Sequence, residues 1–363
     1  MEPVTHFLTG ACLGRSGFNR TTAYATLAMT LAAEAPDLDV LWGFHGPLAA
    51  FEHHRGITHT FLGAPFMALL VTGGVWLWHR WRSRREERRG GAARNSSKLL
   101  GPPVRWGWIW FLALLADLSH LLLDWTNNYG VRPFFPFNPH WYAGNIYFIF
   151  EPVYFAALLA ALIVPAILGL ADREIGVRRQ LFHGRGWAIF ALCFGVVLGC
   201  WRWAEHERAL HLLAQQNYQN EAPIEMSVSP YPVDPFRWFG VVETKDFYQT
   251  ATMNTRTGEF TSQDPEDIYY KQPQTQAILT AKESWLGRVF LDWSKFPYVN
   301  ASSGFGTVPS DAQHYTQVHF QDLRFAYDVL FINGRKDNPL GGTVTLGPNG
   351  KVDEMEIGGR MQK

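Results

Sequence analysis

The chain has little cysteine and no net charge. Cys12, Cys193 and Cys200 are its only cysteines, too few and too far apart for a disulfide framework or a thiolate zinc site, and they read as small buried hydrophobes. Lys plus Arg and Asp plus Glu balance at 32 each. No overall field therefore draws the chain to nucleic acid, which is not an expected partner. The N-terminus lacks a basic stretch followed by an apolar core and a small-residue cleavage site, so no removable signal peptide is expected. No internal repeat is evident.

Apolar residues, in contrast, make up 47% of the 363 positions, yet the mean hydropathy is slightly negative. That combination fits a chain divided between a membrane half and a soluble half. Residues 59–78 contain no Asp, Glu, Lys or Arg and end in Trp76, Trp78 and nearby Trp81, as a membrane span ending in an interfacial aromatic belt would. A second run, 106–125, is followed by weaker ones at 146–171 and 187–203. Arginines crowd 80–105 and recur at Arg173, Arg178, Arg179 and Arg185; loops of this kind stay in the cytoplasm. Residues 126–145 are poor in charge and rich in Asn, Pro and aromatics, as a non-cytoplasmic re-entrant or surface loop would be. Beyond Glu205 the pattern changes to short alternating runs and turn signals, including Asn349-Gly350 and Thr257-Gly258. His314 and His319 lie in strand-like runs there and read as solvated. The expected fold is an α-helical polytopic membrane domain, residues 1–205, with about four or five membrane helices. A small, mainly β extracytoplasmic domain, residues 206–363, is expected to follow.

The first half also carries an unusual density of potential ligands. His53-His54-Arg55-Gly56-Ile57-Thr58-His59 packs three imidazoles and a guanidinium into seven residues beside an apolar run, which suits a metal or phosphate site. Pro36 ends a small-residue helix expected at 21–35, and Asp37 and Asp39 follow as two hard oxygen donors; alternatively Asp37 caps the next turn and Asp39 is solvated. Asp117, His120 and Asp124 fall inside the second span on one helical face. There His120 and Asp124 could serve one metal, or satisfy each other within a helical bundle. Glu151, before Pro152, reads equally as ligand, supporting base or helix-start carboxylate. With both basic loops in the cytoplasm, the His-rich stretch and the end of the second span reach the same, outer face. A helix at 21–35 crossing outward would deliver Asp37 and Asp39 there, and His6 joins if the first segment is a half-buried hairpin.

Thr5-His6, Pro36-Asp37-Leu38-Asp39, His54-Arg55-Gly56-Ile57-Thr58-His59 and His120-Leu121-Leu122-Leu123-Asp124-Trp125 together resemble the YdjM-type family of inner-membrane, metal-dependent hydrolases. The resemblance covers roughly residues 1–170 and runs through Tyr129-Gly130 and Pro136-Phe137 to Glu151-Pro152, where family members commonly have Asp-Pro. The order of His and Asp is more loosely similar to that of zinc-dependent phospholipases C. The resemblance implies a metal-dependent hydrolase without fixing its substrate, and says nothing firm about residues 215–363. It also favours His54 over His53 as a ligand, because the family motif begins there.

The expected centre thus comprises His6, Asp37, Asp39, His54, His59, His120 and Asp124. These exceed one tetrahedral shell and suit one or two divalent ions, zinc or manganese. Arg55 would stabilise an oxyanion on a phosphate, with Glu151 as supporting base. A site at the outer leaflet edge points to a phospholipid or lipid-linked phosphate in the bilayer of an inner membrane. The competing expectation is a metal-binding scaffold or transporter without turnover, although transport would spread ionisable groups across the bilayer. The β domain could also hold the main activity, with the membrane half as its anchor.

Overall fold

The structure, a computed structural model, describes residues 1–88, 102–174, 184–262, 265–305, 314–326 and 340–362. Most of both basic loops, at 89–101 and 175–183, lies outside these residues. Two compact units form: Met1–Asp39 with Arg55–Arg202, and Val40–His54 with Trp203–Lys363. A linear division at 205 placed residues 40–54 in the first domain, whereas packing groups them with the second unit.

The first unit is helical. Its short α1 (Pro3–Arg15) starts at Glu2, whose carboxylate accepts hydrogen bonds from the Val4 and Thr5 backbone N–H groups. These are donors that a helix N-terminus otherwise leaves unpaired. It lies against α2 (Ala25–Ala32) through Gly10 and Gly14. A Cβ at Gly10 would come within 2.5 Å of the Met29 carbonyl oxygen, and one at Gly14 within 2.5 Å of Thr26 Cα. This small-xxx-small spacing lets the two backbones approach closely. Helices α4 (Ala64–Arg88) and α5 (Trp106–Trp125) pack on α2 through Ala28, Ala32, Ala68, Leu112, Ala113 and Ala116. The far side of α1 meets α6 (Pro152–Glu174) and α7 (Arg185–Ala214) through Leu8, Cys12, Leu158 and Ala191.

Among the described residues, three helices are long and apolar enough to cross a membrane: Trp106–Trp125, Pro152–Ala171 and Arg185–Ala214. A fourth span arises if Pro47–His59 and Ala64–Arg88, bent by 87°, count as one. The helix expected to end near Trp78 continues to Arg88, so Arg80, Arg82, Arg84 and Arg85 ride on its last turns rather than in a loop. Cys12 is buried, as expected, but Cys193 and Cys200 are exposed on α7. Much of the apolar content of that helix faces outward, including Ile189, Phe190, Val196 and Val197.

In the second unit, α3 (Pro47–His53) lies within the excursion Val40–His54. The sheets are antiparallel, one ordered β1 (Glu225–Pro230), β2 (Arg237–Glu243), β3 (Phe247–Asn254), β4 (Glu259–Thr261) with β5 (Ile268–Tyr270) on β3, the other β10 (Arg360–Met361), β9 (Val352–Ile357), β8 (Gly342–Leu346), β7 (His314–Asp322), β6 (Pro297–Phe305). Thr257-Gly258 turns β3 (Phe247–Asn254) into β4 (Glu259–Thr261), and Asn349-Gly350 turns β8 (Gly342–Leu346) into β9 (Val352–Ile357). Gly258 and Gly350 both take positive φ, at 73°, which those turns require and glycine permits. Between the sheets in sequence come α8 (Gln276–Glu283) and α9 (Trp285–Trp293). Phe51 of α3 packs against Phe290 and Trp293 of α9, and Trp285 donates to Glu52 at 2.9 Å.

Gly10→Val should force α1 off α2, an overpacking cost of about 1–3 kcal/mol. A fall in the thermal unfolding midpoint of the detergent-solubilised protein measures it. An unchanged midpoint would contradict this packing.

Candidate metal centre

Four segments of the helical unit deliver the candidate ligands. His6 comes from α1, Asp37 and Asp39 from the 3-10 segment Ala35–His45, His59 from the 3-10 turn Ile57–His59, and His120 and Asp124 from α5. His120 and Asp124 are one turn apart, so they share a helix face. Pro36 stops α2 from continuing and lets Asp37 and Asp39 follow in a tighter turn.

His59 Nε2 and His120 Nε2 stand 3.1 Å apart. Asp37 Oδ1 lies 3.4 Å from the first and 3.6 Å from the second. On the Asp124 side, Oδ2 lies 3.5 Å from His59 and 3.4 Å from His120. A tetrahedral ion bound at ~2.0–2.1 Å sets neighbouring ligand atoms roughly 3.3 Å apart. Asp37, His59 and His120 are therefore spaced as three ligands of such a shell, with Asp124 Oδ2 at a similar distance from both imidazoles. His6, His120 and Asp124 form a second, overlapping triad, with His6 Nε2 3.3 Å from Asp124 Oδ1 and its ring stacked on His120 at 3.7 Å.

The chemistry of the donor set fits a divalent ion. Both ring nitrogens of His6 and Oδ2 of Asp124 are buried and make no hydrogen bond, a costly arrangement without an ion to face. Burial, reinforced by His120 and the Met1 amino group, pushes the His6 imidazole down to about 3, leaving it the neutral form that a metal requires. Burial pushes the Asp37 carboxyl up, but the His59 hydrogen bond and the neighbouring His120 and His6 outweigh it and hold the group below the usual carboxylate range.

A supporting layer orients these ligands. His120 Nδ1 lies 2.7 Å from the Ala33 carbonyl oxygen, so Nδ1 carries the proton and Nε2 points inward. His59 Nδ1 lies 3.4 Å from Asp39 Oδ2, which also accepts the Arg55 backbone N–H at 2.7 Å. Asp39 thus supports His59 rather than joining either triad. Arg55 takes a positive φ of 53° and is buried. Its Nη2 donates to Asp124 Oδ1 at 2.7 Å, and its Nη1 to Asn127 Oδ1 at 3.2 Å and the Gly130 carbonyl at 2.7 Å. The fork expected to clasp a phosphate is spent on holding Asp124.

Two other expected residues stand outside the triads. His54 ends α3 and belongs with the second unit, as does His53, which stacks on Trp42 at 3.9 Å. Glu151 is buried against Arg202, with Oε2 2.8 Å from Nη2. Three contributors carry little or no signal in the sequence. The Ala33 carbonyl has none. The Met1 amino group touches Asp124. Glu34, on the turn before Asp37, is pushed up to about 7 by burial and by Asp37, and its Oε2 is buried without a hydrogen-bond partner. Asn127, immediately after α5, is the kind of helix-end polar residue that marks a structured loop.

Asp39→Asn should weaken metal affinity about 10–100-fold without abolishing it, as titration of the apoprotein with zinc would measure; unchanged affinity would deny Asp39 its supporting role. Glu151→Ala should break the buried ion pair with Arg202, costing about 3–5 kcal/mol in stability while metal content holds. Loss of metal with unchanged stability would place Glu151 in the centre instead.

The model of the YdjM inner membrane protein family matches residues 1–209. Among curated proteins, the uncharacterized protein YfhP of Bacillus subtilis (strain 168) is 25% identical over 172 residues, 45% of this chain and 46% of that protein. The chain thus spans about half the length of this relative. No solved structure matches. The helical half that builds the centre is the part that the family model covers, and the chain belongs to the YdjM inner membrane protein family.

Proposed function

We propose that the chain is a membrane-bound, metal-dependent hydrolase of phosphoesters, acting on a phospholipid or lipid-linked phosphate at the outer face of the inner membrane. The observation that carries this reading is the pair of overlapping triads, Asp37, His59 and His120 beside His6, His120 and Asp124, each offering three protein donors. A scaffold metal is normally enclosed by four protein ligands, whereas a catalytic one keeps a position for water or substrate. A zinc or manganese ion there would activate a water and draw charge from a phosphoryl oxygen.

The protein's own groups set the rest of the chemistry. Asp37 is the ligand with appreciable exposure, 19% of its side chain, so substrate reaches the centre along its edge. Arg55 acts through Asp124: it neutralises one carboxylate oxygen and leaves the other facing the imidazoles. Fixed in this way, the carboxylate needs no reorganisation when charge develops on the substrate. The crowding of ligands at one end of α5 supports hydrolysis over transport, which needs ionisable groups along the whole crossing. The outward orientation rests on the two arginine-rich loops, which favour the cytoplasm, and it places the sheet-rich unit outside.

Asp37→Asn should abolish turnover across a panel of lipid phosphoesters while the protein still inserts and folds; normal turnover would defeat the assignment. A topology reporter fused after Gly91 should report the cytoplasm and one after Lys363 the exterior, and the reverse pattern would turn the site inward.

A further inference from the structure

Several side chains close in sequence to the ligands are apolar and exposed. Phe7 beside His6 is 46% exposed, Leu38 beside Asp37 44%, and Leu122 between His120 and Asp124 60%. On either side of His59, Ile57 and Phe61 are similarly open. Within two positions of His6, Asp37, His59, His120 and Asp124, the only other charged residue is Asp39, and it is buried. Phe61 is tied to the loop after α5. Its N–H donates to the Pro133 carbonyl at 2.9 Å, and its ring meets the exposed Phe134 edge to face at 5.4 Å. That same loop supplies the Gly130 carbonyl that anchors Arg55.

Such a surface is costly in water and unremarkable against acyl chains. It continues the outward face of α4, where Phe66, Leu69 and Leu70 are exposed in turn, along a candidate membrane crossing. Each ligand segment thus carries an exposed apolar side chain near its ligand, as a surface facing hydrocarbon would, and the partly exposed Asp37 is followed by the exposed Leu38. A phosphate of a soluble molecule would have to leave water to reach Asp37. A phosphate esterified to a diacyl lipid already lies next to its chains.

From this geometry we infer that substrate enters laterally from the leaflet, with acyl chains lying on the Phe61–Phe134 lip while the phosphoester reaches the Asp37 edge. The centre is thereby selective for a phosphoester attached directly to a membrane-resident acyl lipid over the soluble headgroup phosphate. This inference rests on the proposed phosphoester hydrolase reading and narrows its substrate class.

The test uses the full-length protein in micelles of a phosphate-free maltoside detergent, loaded with cobalt so that the visible spectrum reports on the ligand shell. The probes are dioleoyl phosphatidic acid and glycerol 3-phosphate. In the wild type the lipid should shift the spectrum at concentrations at least tenfold below those the soluble phosphate needs. Phe61→Ser/Phe134→Ser should reduce that preference at least tenfold while the cobalt spectrum before addition stays unchanged. Should the double variant fail to fold, Phe61→Leu is expected to keep the preference and Leu38→Gln to lower it. Equal responses to the two probes in the wild type, or an undiminished preference in folded lip variants, would overturn lateral entry while leaving the metal centre standing. Failure of cobalt to bind at all would remove the centre, and this inference with it.

Discussion

The constraint on which the helical unit depends is the burial of Asp124. A carboxylate inside a membrane helix is tolerated only if its charge is answered on the spot. One oxygen is answered by Arg55 and the Met1 amino group, and the other faces His59 and His120. Arg55 is in turn committed to Asn127, Gly130 and, through its backbone, Asp39. The 3-10 turn, the loop after α5 and the segment after α2 are thus fixed to one another by a single charge network. An ion in the triads would complete it by satisfying the acceptors that face inward.

Packing serves that network. The Gly10 and Gly14 contacts set α1 close to α2, so His6 arrives over the His120 ring. Alanines on α2, α4 and α5 keep those helices near enough for Ala33 to hold His120 by its backbone. Small residues therefore do in the membrane half what large apolar side chains do in the sheet unit. There Trp238, Phe247 and Val242 join Leu213 in a dense core.

Much of this was legible in the sequence because periodicity and charge placement are local. The span at 106–125, the turns at Thr257-Gly258 and Asn349-Gly350, and the pairing of His120 with Asp124 all follow from short-range pattern, whereas the run expected from 146 becomes helical only at Pro152. The convergence of His6, Asp37, His59 and His120 was expected from topology combined with arginine asymmetry, and the structure brings these residues together. What escaped depends on tertiary contacts. The Val40–His54 excursion groups with the sheet unit because Phe51 and Glu52 find partners on α9, and nothing within the excursion itself announces this. His54 leaves the centre for the same reason. Arg55 was expected as a phosphate clamp because guanidinium forks suit phosphate; its partners Asn127 and Gly130 lie more than seventy positions away. Glu151 likewise finds Arg202 only through the packing of α6 and α7.

The central claim is that the triads hold a metal ion. Metal content of the purified protein, measured beside a His59→Ala/Asp124→Ala double variant of equal fold, tests it most directly. The account predicts one or two equivalents of zinc or manganese in the wild type and loss of that metal in the variant. A folded wild type that carries no metal, even after reconstitution, would contradict it, as would a variant that retains the full complement.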